Sequence, residues 1–492
     1  MKRFKHSLSH YKLMSFNMGD IVPIGLVEVN PGDTIQHSTS ALLRLKPMLA
    51  PVMHPTHVKI HHWFVPHRLL WDDWEKFITG GEDGMDASVF PTINLTSTGF
   101  NTVGGLPDYF GIQPGVDIEV SALPFRAYAK IFNECYRDQD LEPTLAPMST
   151  ASGVDTTTLP ITRMDRWDKD YVTGAKPWAQ KGGDVMIPIS PTAPIVSDST
   201  PFNLRTLGSG TDRTVNAGAG ASNDMFVSGA AIPSATNLVF GANTGLEADL
   251  QAAIGDINDL KYAFAIQRYR EARARYGSRL VEYLRYLGIK SSDARLQRPE
   301  YLGGGKETLQ FSEVLATAEG TDTDVGDMKG HGIAGAKSNR YRYFAEEHGF
   351  VVSVAVVKPI NVYTQGAERH WFRRTKEDFW QKELEHVGAQ PVYNKEVYIA
   401  NDNQNDSVFG YTDRYAEYRS MRNTVSGEFR TGALDYWHMA RTFTSRPVLN
   451  GSFIRSYPTD RIFAVQTDDK IYGMIRHSIQ ARRLIGPGGT SY

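Results

Sequence analysis

The segments of this chain with the strongest strand character lie far apart, and no regular helix alternates with them. They run from Asp20 to Val29, with a turn at Asn30-Pro-Gly-Asp33 behind it, from Val58 to Val65, Gly349 to Val357, Val392 to Ile399, Arg461 to Gln466 and Ile471 to Ile479. Pro23 marks an edge or a strand start. The run from 350 to 357 is apolar on both faces and reads as a core strand. Such dispersion disfavours a parallel βαβ sheet and favours an antiparallel sandwich or barrel. Eight strands of about six residues fill only about 50 positions, so most of the 492 residues must be connections, in keeping with 44 Gly and 25 Pro. Length alone allows either about three domains or one β framework with large insertions.

Two segments break the β pattern. Leu246, Leu250, Ile254, Ile257, Leu260 and Phe264 recur at helical spacing; after Gly277 a second helix starts at Ser278, with Leu280, Leu284 and Leu287 inward and Gly288 at its stop. This predicts a helical hairpin over 246–288. Phe379, Leu384 and Val387 predict a further short helix. From Ser197 to Gly245, 33 of 49 residues are Gly, Ala, Ser, Thr, Asn or Pro. That segment cannot offset its ordering entropy with its own apolar burial, so it reads either as a mobile linker or as an insertion ordered by neighbouring copies.

Charge and cysteine content narrow the function. Cys135 is the only cysteine, so no intrachain disulfide and no thiolate metal cluster within one chain can form. The balance of 53 basic against 55 acidic residues argues against a protein that coats nucleic acid over its whole surface, since phosphate binding is driven by Lys and Arg releasing counterions. Both ends are nevertheless basic. Lys2, Arg3, Lys5 and Lys12 occur in residues 1–19 without a carboxylate, and Lys470, Arg476, Arg482 and Arg483 occur in 470–492, again without one. They are either solvated termini or contacts to a polyanion. Between Lys261 and Arg298, ten basic residues face three acidic ones, interleaved with Tyr262, Tyr269, Tyr276, Tyr283 and Tyr286; that mixture suits subunit contact or single-stranded nucleic acid. No stretch approaches the roughly 20 apolar residues that cross a bilayer, and the first twelve residues carry no apolar signal core. An integral membrane protein is not expected.

Catalytic and metal-binding patterns are missing where they could have been. His54, His57, His61, His62 and His67 crowd together, but no His-Glu-x-x-His exists, and on a strand His61 and His62 face opposite sides. Gly303-Gly-Gly-Lys306 is followed by Glu307 where a phosphate loop needs Ser or Thr, so it reads as a turn. Asp322, Asp324 and Asp327 lack the glycine and terminal glutamate of a helix-loop-helix calcium site, leaving only a looser one open. The Gly pairs at 208/210 and 218/220 lack the third glycine of a dinucleotide fingerprint. No enzyme, cofactor or metal is expected.

A family resemblance enters with particular stretches: Ser15 to Pro23, Val29 to Thr34, Leu43 to Leu45, Pro51 to Met53 and Trp63 to Phe77, then Asp293 to Gly304, Glu347 to Phe350, Asn394 to Tyr398, Val408 to Arg419, Leu434 to His438 and Ser452 to Ile454. In this order they resemble the major capsid protein of Microviridae, closest to the gokushovirus branch. The resemblance implies a viral jelly roll, an eight-stranded antiparallel β-sandwich spanning 1–492 with long insertions. It implies a T=1 icosahedral shell around circular single-stranded DNA, made in the host cytoplasm and located in the virion. It further implies an internal scaffolding protein, a DNA pilot protein, a small basic DNA-binding protein and a host cell-surface receptor as partners. The segments 197–245 and 484–492 carry no family pattern.

Three expectations follow. Tyr- and Arg-rich loops, represented by Arg414, Tyr415, Tyr418, Arg419 and Arg422, should meet copies of the same chain. Lys2, Arg3, Lys5, Lys12, Arg476, Arg482 and Arg483 should touch DNA phosphates on an inner wall. The insertion 197–245 should form an outward protrusion used in host attachment. The competing class is a soluble jelly-roll carbohydrate-binding protein or a fibre-type attachment protein, which would stay a small oligomer without basic interior ends.

Overall fold

A computed structural model describes residues 2–143, 147–185, 195–197, 202–206, 213–217, 225–227, 238–240, 246–248, 257–320 and 324–486. It divides into one unit of 1–179 with 274–492 and another of 180–273. In the first unit the framework strands are β1 (Phe4–Ser7), β2 (His10–Phe16), β3 (Asp20–Val29), β4 (Thr34–Leu45), β5 (Thr56–Pro66), β6 (Glu300–Leu315), β7 (Met328–Lys337), β8 (Tyr341–Phe344), β9 (Gly349–Pro359) and β10 (Ile471–Arg483). All their pairings are antiparallel, in the order β1, β10, β4, β7, β6, β5, β9, β3, with β2 on β10 and β8 on β4. The chain is mainly β, a jelly-roll sandwich with few helices.

Two packed sheets arise because β6 changes partners. Its first part, Glu300 to Leu309, pairs with β5, and its last part, Gln310 to Leu315, pairs with β7. A strand that leaves one sheet and joins the next forms a corner of a sandwich. The Gly303-Gly-Gly-Lys306 segment lies inside this strand, so its reading as a turn is corrected. The reason is steric: a Cβ on Gly304 would sit 2.3 Å from the Ile60 carbonyl oxygen, and one on Gly305 would sit 2.1 Å from that of Lys337. Gly304 and Gly305 let backbones approach on both sides.

Period-two burial fills the space between the sheets. In β10 residues 471, 473, 475, 477, 479 and 481 are buried while their neighbours face out. Val22, Ile24, Leu43, Val58, Ile60, Ala355, Val357, Ile471 and Ile475 form one end of the core, and Val29, Ile35, Phe64, Val351 and Ile479 belong to the other. β9 is buried along its whole length: its second face, Val352, Val354 and Val356, is covered by Leu123, Phe125 and Tyr128 of α1 (Leu123–Ile131). The sequence pattern missed this helix. It is anchored by Arg126, fully buried, which donates to Asp155 at 2.8 Å and to the Leu70 and Ala151 carbonyls.

Other segments depart from their sequence reading. Arg461 to Gln466 is not a strand; Ile462 and Phe463 plug the inter-sheet core from a turn. Val392 to Ile399 is a strand only up to Tyr393, because the Tyr393 N–H donates to the Glu396 carboxylate at 2.9 Å and starts the helical turn Asn394–Val397. Phe379, Leu384 and Val387 fall on short 3₁₀ turns and loop rather than on a continuous helix. The helical pair is α2 (Ile257–Tyr276) and α3 (Leu280–Tyr286), whereas Leu246–Ala248 pairs as a strand with Ile195–Ser197. Ile257, Leu260 and Phe264, which recur at helical spacing, and Leu280 and Leu287, expected inward, are exposed. Leu250, Ile254, Asp322, Gly208, Gly210, Gly218, Gly220 and residues 487–492 lie outside the described residues, as does most of 197–245.

Across the middle of the sandwich runs a polar layer. His37, His62 and His477 are buried side by side: His37 Nε2 lies 3.0 Å from His477 Nδ1, with the Thr39 hydroxyl 2.9 Å from the same nitrogen. His477 Nε2–H donates to the Ile24 carbonyl at 2.9 Å, so its Nδ1 is an acceptor. His37 Nδ1 meets the Tyr341 hydroxyl and His62 Nδ1 meets the Ser353 hydroxyl. Burial, with mutual repulsion added, pulls these imidazoles down to about 2 for His37, about 3 for His62 and about 4 for His477.

The folded chain therefore keeps them neutral while the unfolded chain takes up protons below about pH 6.5. Stability is complete above that pH and is lost as pH falls toward 4, at up to about 4 kcal/mol per pH unit for the three together. Urea denaturation between pH 7.5 and 5 measures this slope together with that of the other buried histidines such as His54 and His67, and His62→Gln is expected to reduce it by up to about 1.4 kcal/mol per pH unit. Gly305→Ala is expected to cost about 2 kcal/mol or more by overpacking, read as a fall in denaturation midpoint at pH 7.5.

Candidate subunit and nucleic-acid interfaces

The basic residues at the two ends of the chain meet because β1 and β10 pair. Lys5 lies opposite Arg482 and Ser7 opposite Gln480, while β10 on its other edge sets Arg482 opposite Thr34 and Gln480 opposite Gln36. β8 then adds Arg342 opposite Gln36 and Phe344 opposite Thr34. Directly opposed residues share a face, so Lys5, Arg342 and Arg482 surround one shallow depression of about 120 Å³ with Thr34, Gln36 and Gln480. No carboxylate lines it. Arg340 donates to Gln36 Oε1 at 3.0 Å, and the Arg3 guanidinium rests on the Phe344 ring at 4.9 Å. Arg340 and Arg342 were not singled out from sequence, since they stand more than a hundred residues from either terminus and carry no local pattern.

The seven expected contacts divide by orientation. Lys2, Arg3, Lys5, Arg476 and Arg482 are exposed, with Arg476 stacked over Tyr11 on the outward face of β10. Arg483, one residue from Arg482, points the other way, where it pairs with buried Asp33 at 3.1 Å and donates to the Glu28 carbonyl. Lys12 turns inward to the carbonyls of Pro23 and Tyr109. Burial lowers its pKa to about 8, against the opposing pull of Asp108. Lys12 and Arg483 are thus engaged within the chain, their side chains turned toward internal carbonyls and a buried carboxylate rather than toward the shelf.

The Arg414 to Arg422 loop divides in the same way. Tyr415 adopts a left-handed conformation (φ 61°) and is buried, its hydroxyl donating to the Phe379 carbonyl at 3.1 Å. Arg422 is half-buried over the Tyr363 ring and donates to the Glu396 carbonyl. Arg414 donates to the Val387 carbonyl at 2.7 Å and is half-buried. Tyr418 and Arg419 face out beside Met421, which is 88% exposed. Tyr415 and Arg422 hold the loop in shape, and Tyr418 and Arg419 present it.

The histidine group of β5 does not converge. His54 Nε2 meets the Ile360 carbonyl, His61 Nδ1 the Tyr136 hydroxyl and His62 Nδ1 the Ser353 hydroxyl. Among the described residues no three His, Cys, Asp or Glu side chains could hold a metal ion, and no helix is long and apolar enough to cross a membrane.

With this geometry in view, the comparisons with known proteins point one way. Residues 1–485 match the family model described as capsid protein (F protein). The chain is 35% identical over 473 residues to capsid protein VP1 of Bdellovibrio phage phiMH2K, covering 92% of this chain and 88% of that protein. It is 33% identical to capsid protein VP1 of Chlamydia phage 1, over 94% and 91% of the two chains. With capsid protein VP1 of Spiroplasma virus 4 it shares 32% identity over 95% and 90%.

The loss of Arg482 is expected to lower the salt slope of single-stranded DNA binding by about 0.7, the increment of one phosphate contact. Arg483→Ala is expected to leave that slope unchanged and to destabilise the fold instead, because it strands buried Asp33. Oligothymidylate titrations at several salt concentrations, paired with thermal melts, separate the two outcomes.

Proposed function

The chain belongs to the capsid protein (F protein) family, as a major capsid protein of the Microviridae, and on that premise we propose that its copies close into a T=1 icosahedral shell around a circular single-stranded DNA genome. The observation that carries this reading is similarity to phage capsid proteins along nearly the whole chain, which also outweighs the reading as a carbohydrate-binding or fibre protein.

The physics of the surface supports self-association. Large apolar side chains stand exposed in the single chain: Tyr11 and Leu13 on β2, Met53, Trp371 and Met421. Exposed apolar and aromatic residues framed by Arg are what interfaces between protein copies bury. Because a closed shell repeats each contact by symmetry, individually weak pairs suffice. The basic shelf of Arg3, Lys5, Arg340, Arg342 and Arg482, with Lys2 and Arg476 alongside, is in this reading the inner wall, touching phosphates without reading bases. The chain's net charge of -2 leaves most genome charge to be neutralised by other components, among which a small basic DNA-binding protein fits. An internal scaffolding protein, a pilot protein and a host receptor that meets 197–245 complete the proposal.

Purified protein, alone or with scaffold, is expected to form closed particles by electron microscopy. Tyr418→Ala with Arg419→Glu is expected to raise the protein concentration needed for particles at least roughly tenfold, with an unchanged circular dichroism spectrum. A strictly monomeric wild-type chain across micromolar concentrations in light scattering would overturn the reading.

A further inference from the structure

A second concentration of positive charge lies in a concave setting away from the shelf. A cavity of about 270 Å³ is floored by the turn at Glu134 and Cys135 and the loop from Arg137 to Asp140. One wall carries Arg166, Lys169 and Lys176; another is the start of α3, with Arg279 and Arg285. Eight basic side chains line it against four carboxylates; Asp413, 3.0 Å from Arg275, and Asp293, 3.3 Å from Arg298, stand just outside the lining, so an excess of two positive charges remains.

The internal pairings show why that excess persists. One oxygen, Asp138 Oδ2, serves Lys176 at 3.6 Å, Lys169 at 3.7 Å and Arg166 at 3.9 Å. Burial opposes ionisation of Asp138, yet Lys176 and Lys169 hold its carboxyl below the usual range. Arg279 is fixed by the carbonyls of Asn133 and Arg137 and by Gln139 Oε1. Those dipoles orient a guanidinium without cancelling its charge. Arg285 has no carboxylate within ion-pair reach among the described residues. Like charges held at a few ångströms in a concave, partly desolvated space repel, and a multivalent anion entering it relieves that repulsion. Guanidinium forks of fixed orientation suit the oxygens of a phosphate, and Trp63 and Tyr276 add aromatic surface to the lining.

We propose that this cavity is an anion site that takes a phosphate group, through Lys169 and Arg285 in particular, with Arg279 pre-oriented beside them. The phosphate comes either from a nucleic-acid backbone or from a small free phosphate anion; only the first source rests on the shell reading above.

The test uses the full chain and isothermal titration with pyrophosphate at low salt. Saturable binding is expected for the wild type. Lys169→Gln with Arg285→Gln should weaken it by at least roughly tenfold, the loss expected for a charge-assisted contact. Arg285→Lys, which keeps the charge, should retain most of it, and Lys376→Gln, at an exposed cation that lines neither the cavity nor the shelf, should leave it unchanged. If oligothymidylate competes with pyrophosphate, the backbone is the source; if pyrophosphate binds without competition, the site takes the small anion. No saturable binding by the wild type, equal binding by the Lys169 and Arg285 variant, or preference for a Glu-rich peptide over pyrophosphate would each overturn the proposal. Particle formation by the same variants is scored separately by microscopy, so a failure of assembly does not pass for a failure of the anion site.

Discussion

Antiparallel pairing between the two ends of the chain is the constraint on which the rest of this structure depends. β10 runs from Ile471 to Arg483 and is bonded on one edge to β4 and on the other to β1 and β2. A framework strand contributed at the end of the chain means that the connections between the strands from residue 45 to residue 471 must leave the sandwich and return to it in register. The connections can therefore be long, because loop-closure entropy grows only slowly with length, provided that the strands they return to are specified by burial. Period-two burial along β4 and β10 supplies that specification: a slip by one residue would move Ile475, His477 and Ile479 to solvent.

The same pairing explains the distribution of polar chemistry. Residues with odd numbers in β10 enter the core, where His477 joins His37 and His62 in a layer that only neutral imidazoles can occupy. Residues with even numbers face out, where Arg482 joins Lys5 and Arg342 and Arg476 lies over Tyr11. One strand thus carries an acid-sensitive element of stability on one face and a phosphate-compatible surface on the other. Arg482 and Arg483 differ in role for this reason alone, although they are adjacent and chemically identical.

How far the sequence was legible follows from which signals are local. β3, β5, β9 and β10 were visible because their apolar runs or alternations suffice within ten residues. β6 and β7 were not: Gly303-Gly-Gly-Lys306 reads as a turn, whereas Gly304, Gly305, Gly330 and Gly332 serve close contacts with backbones or side chains distant in sequence, as at Lys337 and Ala50. α1 was hidden because its nine residues span too few turns for a helical repeat to stand out from the sequence. At the candidate interfaces, basic termini were legible as composition, but the orientation of each side chain was not.

By itself, then, the amino-acid order determined a β framework with long insertions, no disulfide, two basic ends and the capsid-protein family, because composition, periodicity and short motifs are properties of neighbouring residues. Tertiary structure alone decided that Lys12 and Arg483 are spent inside the fold, that Arg340 and Arg342 complete the basic shelf, that Tyr415 packs while Tyr418 faces out, and that cations from four stretches of chain crowd one cavity. Those outcomes depend on which strands become neighbours, and strand pairing brings together residues hundreds of positions apart whose contact no local pattern records.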